Sequence, residues 1–139
     1  MPPKPRTSLF LAYCPDRIGP TVVETRLKVR AQHFAEFKVD QQAGRAEFGR
    51  AILPPPTSAL RTTPNLFPEG VQPMGGSVML LRYPSLEAAW ARVRDDVYWT
   101  AGVWDPERTV VEEFCEPPPT GSVKGVDAEN VGGSGVGIE

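Results

Sequence analysis

Residues 8–14 read SLFLAYC, and this stretch decides the fold class. The side chains of its two faces are both largely apolar: Leu9, Leu11 and Tyr13 on one face, and Phe10, Ala12 and Cys14 on the other. Because successive side chains of a strand point to opposite faces, this pattern predicts a strand that is covered on both faces. Residues 76–83, GSVMLLRY, repeat the pattern and predict a second strand of this kind.

Two amphipathic segments separate the predicted strands. The first helix is predicted over residues 20–43, where Thr21 and Glu24 have the spacing of a capping box. The second helix is predicted over residues 86–94, with Ser85 as its N-cap. Each segment has apolar residues at helical spacing on one side only, which predicts that this side packs against a sheet.

The apolar stripe of the first helix has three polar residues along one flank, namely Arg26, Arg30 and His33. At 100° per residue, the stripe itself consists of Val23, Leu27, Ala31, Phe34 and Phe37. This pattern predicts that the stripe is buried and that the three polar side chains lie at its border.

Two further strands complete the fold. They are predicted over residues 45–53 (RAEFGRAIL) and 107–114 (ERTVVEEF), which gives the element order β-α-β-β-α-β. This order is typical of the α+β ferredoxin-like fold, here with strand order 4-1-3-2 in an antiparallel sheet and both helices on one face. Because the two helices cannot cover the second face of the apolar strands, we expect a homodimer that packs two sheets face to face.

Proline and glycine, at 16 and 13 residues, concentrate outside the predicted elements. Residues 1–7 are expected to form a flexible N-terminus and residues 115–139 a flexible tail, because neither offers an apolar face whose burial would offset its ordering entropy. A single α+β domain then spans residues 8–114. Its Pro-rich loop over residues 54–75 is longer than the fold needs, and we expect it to gate a pocket.

Charge and composition exclude several classes of function. The formal net charge is -2 and no apolar run approaches the roughly 20 residues that span a bilayer, so we expect neither nucleic acid nor a membrane as partner. Cys14 and Cys115 are expected to be free thiols about 20 Å apart, which favours a cytoplasmic protein. With one histidine and no CxxC motif, we expect no metal site and no cofactor.

Four segments in series carry a family resemblance: FLAYCPDR at residues 10–17, RAQH at 30–33, GSVMLL at 76–81 and DVYWTAGVWD at 96–105. In order and spacing they resemble the YciI-like (YCII-related) family over about residues 9–114, and the last segment is similar to that of fungal members. The resemblance implies a dimeric α/β barrel. Because one branch of the family eliminates chloride from a chlorinated hydroquinone, it also implies lyase or isomerase chemistry on small aromatic or quinone-like molecules.

The same resemblance implies an active-site pair formed by His33 and Asp96. Val97 follows the aspartate where bacterial members usually have proline. A carboxylate bonded to one ring nitrogen fixes the tautomer of an imidazole and stabilises its protonated form, so His33 could take or give a proton. Asp95 stays a competing partner for the histidine, and Asp96 could instead serve only as a cap of the turn after the second helix.

Four side chains are expected to bind substrate: Arg30, Arg26, Tyr98 and Tyr13. Arg30 lies one helical turn before His33 and could hold an anionic oxygen such as a phenolate or an enolate. Structural interpretations stand beside these roles. The arginines could form a solvated charged face, the tyrosines could pack in the core or in an interface, and His33 could be a residue at the border of the core.

Three functions stay open from the sequence. The favoured one is a cofactor-free lyase, isomerase or cyclase that transfers protons to and from a small aromatic, quinone-like or polyketide-type molecule. A cofactor-independent oxygenase of the dimeric α/β barrel type is the second, and a non-catalytic dimeric module that binds a small molecule is the third. Placement of His33 and Asp96 together in a concave pocket would favour an enzyme, whereas a solvent-facing His33 would favour the binding module.

Overall fold

Residues 6–118 are described by a computed structural model of the chain. The elements are β1 (Ser8–Pro15), α1 (Pro20–Gln42), β2 (Ala46–Ile52), α2 (Ala59–Thr62), β3 (Gly76–Tyr83), α3 (Leu86–Asp95), α4 (Val97–Thr100) and β4 (Val110–Glu113). The predicted order of four strands and two long helices is confirmed. The two short helices are additions, since α2 lies inside the predicted Pro-rich loop and α4 follows α3 directly.

The four strands form one antiparallel sheet in the order β2-β3-β1-β4. In the central pair Phe10 lies opposite Leu81 and Leu11 lies opposite Leu80, so each face continues from one strand to the next. α3 contacts β1, β3 and β4, while α1 contacts β2. The chain therefore has the predicted α+β ferredoxin-like fold.

The two faces of the sheet differ in exposure. On the helix side Phe10 and Leu81 are fully buried and belong to one apolar core with side chains of α3 and α4. On the opposite face Leu80 is half-buried, and Tyr13 and Phe48 are each 41% exposed. We call this second surface the open sheet face. The homodimer that the sequence suggests would cover it, and it stays a prediction.

The buried side of α1 differs from the predicted apolar stripe. Ala31 is exposed and Phe34 is 54% exposed. The buried residues of the helix are Val23, Arg26, His33, Phe37 and Asp40. Burial is therefore confirmed for Val23 and Phe37 and wrong for Ala31 and Phe34, because polar side chains from other parts of the chain meet this side of α1 and satisfy its hydrogen-bonding groups.

The two long helices begin in different ways. Ser85 caps α3 as predicted, since its hydroxyl accepts the backbone N–H of Ala88 at 3.1 Å. α1 instead begins at Pro20 after Gly19, and no side chain caps it, so the predicted capping box of Thr21 does not form. Gly19 has φ 137°, a conformation that favours glycine, and proline is well suited to the first helical position.

The segment that connects β2 to β3 returns to the domain at Met74, which is buried. Residues 70–74 line a small cleft of about 240 Å³ together with Arg30 and residues 51–53. The gating role of the Pro-rich loop stays a prediction. The expected flexible ends fall largely on residues 1–5 and 119–139, which lie outside the described residues.

Both cysteines are free, as predicted, with Cys14 buried and Cys115 exposed. Burial raises the pKa of the Cys14 thiol well above its ordinary value, and the neighbouring carboxylates of Asp96 and Asp16 act in the same direction. Cys14 is therefore a neutral core side chain. Among the helices in residues 6–118, none is long and apolar enough to cross a membrane.

Candidate functional site

A cleft of about 600 Å³ lies between α1 and the β2–β3 side of the sheet, and we call it the α1 cleft. Arg26, Arg30 and His33 line it from α1, and Tyr98 lines it from α4. The strand wall is formed by residues 49–51 and 77–79. No Asp or Glu side chain within residues 6–118 lines this cleft, so its wall favours a ligand with negative charge.

His33 and Asp96 meet at one edge of the α1 cleft. His33 Nδ1 lies 2.8 Å from Asp96 Oδ1, and both side chains are buried. An ionised carboxylate can only accept, so Nδ1 carries the proton in this pair and Nε2 is left as the basic nitrogen. Because His33 lines the cleft, this arrangement can exchange a proton with a bound molecule.

Asp96 is held in place by the break between α3 and α4. It ends α3 in an extended conformation and caps α4, because its Oδ1 accepts the backbone N–H of Tyr98 at 2.8 Å. The same oxygen thus caps α4 and contacts His33 Nδ1, and the catalytic role of the pair stays a prediction. Asp95 is exposed and lines a different cleft, so the geometry pairs the imidazole with Asp96.

An arginine whose side chain is 8% exposed holds the second oxygen of Asp96. Arg92 Nη1 donates to Asp96 Oδ2 at 3.0 Å, and Arg92 Nε donates to Asp40 Oδ2 of α1. Burial acts to lower the pKa of Arg92, but Asp96 and Asp40 outweigh burial and raise it. The guanidinium therefore stays charged between two carboxylates.

Tyr98 lies between two side chains of α1. Its ring stacks on His33 with centroids 4.0 Å apart and planes 14° apart, and the Arg26 Cζ atom lies 4.4 Å from the same ring centre. Two groups this close cannot share one ring face, so they occupy opposite faces. Burial raises the pKa of the Tyr98 hydroxyl, against the effect of Arg26 and Arg30. The hydroxyl stays protonated, and it has no hydrogen-bond partner in the described part of the chain.

The two arginines that line the cleft from α1 differ in their hydrogen bonds. Arg26 is 2% exposed, and its Nε and Nη2 donate to Asp16 Oδ2 and Oδ1 at 2.7 and 3.1 Å. Its Nη2 also donates to Ser77 Oγ at 2.9 Å. Arg30 lies over the ring of Phe34, and its buried Nε has no partner among the described residues. Of these two α1 arginines, Arg30 is thus the one with free hydrogen-bonding capacity for a ligand.

The structure brings together five of the six predicted site residues. His33, Asp96, Tyr98, Arg26 and Arg30 form one connected group at the α1 cleft. Tyr13 is not brought to it, because it pairs with Val78 and Val110 on the open sheet face. In a single chain, Tyr13 and the α1 cleft therefore lie on opposite sides of the sheet.

Four polar residues of the site were not found from the sequence: Asp16, Asp40, Ser77 and Arg92. Arg92 and Asp96 have the i, i+4 spacing of a helical ion pair, which is the one signal that was available. Pairs with this spacing usually lie in solvent, so the spacing does not indicate burial. No group of three or more His, Cys, Asp and Glu side chains within residues 6–118 could hold a metal ion.

Comparison with solved structures finds the same fold in an enzyme. The structure of 5-chloro-2-hydroxyhydroquinone dehydrochlorinase from Burkholderia phenoliruptrix AC1100, in complex with 2,5-dihydroxybenzoquinone, matches this chain with a TM-score of 0.59 and 23% sequence identity. The match covers 77% of this chain and 93% of the dehydrochlorinase. At this identity the likeness establishes the ferredoxin-like fold. No protein family model matches the chain, and no curated protein matches it.

Proposed function

We propose that this chain is a cofactor-free enzyme of the lyase, isomerase or cyclase type. Its substrate is a small aromatic, quinone-like or polyketide-type molecule that binds in the α1 cleft. The proposal is carried by the 2.8 Å contact between His33 Nδ1 and the buried carboxylate of Asp96, with the imidazole in the cleft wall. A module that only binds a ligand has no need of a buried imidazole–carboxylate pair beside its cleft.

In this proposal His33 is the general base and general acid. Nε2 takes a proton from a hydroxyl or an acidic C–H group of the substrate, and the electron pair left behind moves into the conjugated system of the substrate. Asp96 stays ionised and stabilises the imidazolium. The imidazolium then returns the proton to another atom of the same molecule, or to the group that leaves with its bonding electrons.

The substrate oxygen that gains negative charge is held by Arg30 and Tyr98. The unpaired Arg30 Nε and the unpaired Tyr98 hydroxyl are both donors, and both residues line the cleft. Donors fixed in advance at the place where charge develops lower the barrier of a proton transfer. Arg26 acts indirectly, because its guanidinium supports the Tyr98 ring while Asp16 and Ser77 hold it in place.

The dehydrochlorinase with the same fold supports the choice of substrate class. Its name gives a hydroquinone as the molecule it acts on, and its structure holds a quinone. The four sequence segments described above support membership of the YciI-like family. The apolar open sheet face supports a homodimer. The two free thiols support a cytoplasmic location. We take the domain to span residues 8–114.

The test is turnover by the purified protein on a panel of hydroquinones, dihydroxybenzoquinones and aromatic polyketides. We expect His33→Ala to lower kcat about 10²–10⁴-fold on any compound that the chain converts, the range typical of positioned acid–base catalysis. His33→Gln keeps polarity and similar volume but cannot carry a proton, so it should lose nearly as much. Lys28→Ala, on the exposed side of the same helix, is the matched control and should keep full turnover.

The alternatives give different results in the same experiment. If a folded His33→Ala protein turns over substrate at the rate of the unchanged chain, the catalytic role of His33 is wrong. If the chain binds members of the panel and converts none, the non-catalytic binding module is favoured. If turnover consumes oxygen and stops under anaerobic conditions, the chain is a cofactor-independent oxygenase.

A further inference from the structure

Arg92 connects the His33–Asp96 pair to a second buried carboxylate. Its side chain is 8% exposed, and it donates to Asp96 Oδ2 through Nη1 and to Asp40 Oδ2 through Nε. Asp40 accepts from Arg45 through its other oxygen, at 3.1 Å from Arg45 Nη2. Arg45 is 43% exposed, so this chain of groups starts in solvent and ends at the imidazole.

Charges of opposite sign alternate along this chain of groups. The order is Arg45, Asp40, Arg92, Asp96 and His33, and each member contacts the next. A buried carboxylate without a cation would strongly favour the protonated form of a neighbouring imidazole. A histidine that is always protonated cannot serve as a base, so the charge beside Asp96 matters for the chemistry.

We infer that Arg92 is the positioning residue of this site: it fixes the second oxygen of Asp96 and limits how strongly Asp96 draws a proton onto His33. The inference rests on the proposed function only for its effect on turnover. Its electrostatic part concerns the protein alone. Arg92 lines no part of the α1 cleft, so it acts through Asp96 and does not contact a substrate bound there.

Other charged and titratable groups lie around the pair. Those that line the cleft together with His33 are Arg26, Arg30 and Lys38 of α1, Arg50 of β2 and Tyr98 of α4. Glu36 of α1 accepts the backbone N–H of Val97 beside Asp96, and Cys14 of β1 and Asp16, which follows β1, interact electrostatically with Asp96 or Tyr98. Arg26 is neutralised by Asp16, and the raised pKa values of Cys14 and Tyr98 keep both groups uncharged near neutrality. Within residues 6–118, Arg92 is the arginine that contacts Asp96 directly.

The single histidine makes the inference directly measurable by NMR. With any histidine tag removed, the imidazole resonances of the ¹⁵N-labelled protein belong to His33 alone. They report both the tautomer and the titration midpoint. The variants are Arg92→Met, which removes the charge, and Arg92→Lys, which keeps the charge and loses the forked geometry. Arg94→Met is the matched control, because Arg94 lies in the same helix, is exposed and stacks on Trp90.

We expect Arg92→Met to raise the His33 titration midpoint by about one pH unit, because Asp96 then acts on the imidazole without an opposing cation. In Arg92→Lys, which keeps the charge, the midpoint should lie close to that of the unchanged chain. Asp40→Asn should shift the midpoint in the opposite direction, since it removes the carboxylate that shares Arg92. Arg94→Met should leave the midpoint within a few tenths of a pH unit.

Turnover separates this inference from the proposed function. Where a substrate is found, the acidic limb of kcat/KM in Arg92→Met should move with the NMR midpoint. A shifted midpoint with unchanged turnover upholds the electrostatic role of Arg92 and contradicts the catalytic role of His33. A midpoint in folded Arg92→Met equal to that in Arg94→Met overturns the inference. Should Arg92→Met fail to fold, a lower midpoint in Asp40→Asn supports the inference, and a midpoint in Asp40→Asn equal to that in Arg94→Met overturns it.

Discussion

Replacing Asp96 with asparagine tests the buried network through stability. The carboxylate accepts three hydrogen bonds, from His33 Nδ1, the Tyr98 backbone N–H and Arg92 Nη1. Asparagine keeps the shape and has one accepting oxygen, which can still serve His33 and Tyr98. Its amide nitrogen then faces Arg92 Nη1, so a donor meets a donor and the buried guanidinium loses a charged partner.

The expected loss in the free energy of unfolding is about 3 kcal/mol. A hydrogen bond to a charged group contributes about 1.5–3 kcal/mol, and removing one partner of a buried ion pair costs about 3–5 kcal/mol. Asp40 still holds Arg92, which places the expected loss at the lower end of that range. Urea denaturation followed by tryptophan fluorescence measures it.

Asp95→Asn is the matched control for this measurement. Asp95 is exposed and has no side-chain hydrogen bond within residues 6–118. It also lies in the last turn of α3, where a negative charge is unfavourable, so its loss should change stability by less than about 0.5 kcal/mol. A difference of less than about 1 kcal/mol between the free energies of unfolding of Asp96→Asn and Asp95→Asn would refute the stabilising role of Asp96.

Three further predictions concern other parts of the fold. A Cβ atom on Gly49 would lie 2.6 Å from Phe37 Cζ, so Gly49→Ala should cost about 1–3 kcal/mol in urea denaturation, and Phe37→Leu should reduce that cost. Because burial raises the pKa of Cys14 above 9.0, the unfolded state loses the thiol proton at a lower pH than the folded state. The free energy of unfolding should therefore fall above pH 9 by up to about 1.4 kcal/mol per pH unit. Urea titrations from pH 8 to 10.5 should show a weaker dependence of this free energy on pH in Cys14→Ala and an unchanged dependence in Cys115→Ser. If the open sheet face forms a homodimer, sedimentation should show a dimer that Leu80→Arg dissociates, and a monomeric unchanged chain at micromolar concentration would contradict it.

The strands and their order could be predicted because their signal is local. Both faces of β1 and β3 carry mostly apolar side chains, and this pattern predicts that the two strands lie at the centre of the sheet. The last strand was predicted too long, over residues 107–114, and it spans only Val110–Glu113. Asp105 is the reason, because its carboxylate accepts the backbone N–H of Glu107 and the side chain of Arg108 and so forms a turn before the strand.

The buried side of α1 could not be predicted from its own sequence. A hydrophobic pattern treats Arg26, His33 and Asp40 as outward-facing residues. Several of their partners are far away in the chain: Ser77 is 51 positions from Arg26, Asp96 is 63 positions from His33, and Arg92 is 52 positions from Asp40. Only the fold brings these groups together, so helix periodicity predicted the helix and the burial of Val23 and Phe37 but not the burial of these polar side chains.

The polar side of α1 is itself an argument for function. Replacing buried ion pairs with apolar residues of similar volume is often neutral or stabilising, so folding stability alone gives little reason to bury Arg26, His33 and Asp40 on one helix. The same helix leaves Phe34 54% exposed beside Arg30 at the cleft. A helix selected only for packing would bury Phe34 and leave these polar side chains exposed. The placement is what a site requires when one imidazole must be oriented by a carboxylate and charge-balanced by an arginine, and when it must still reach a cleft.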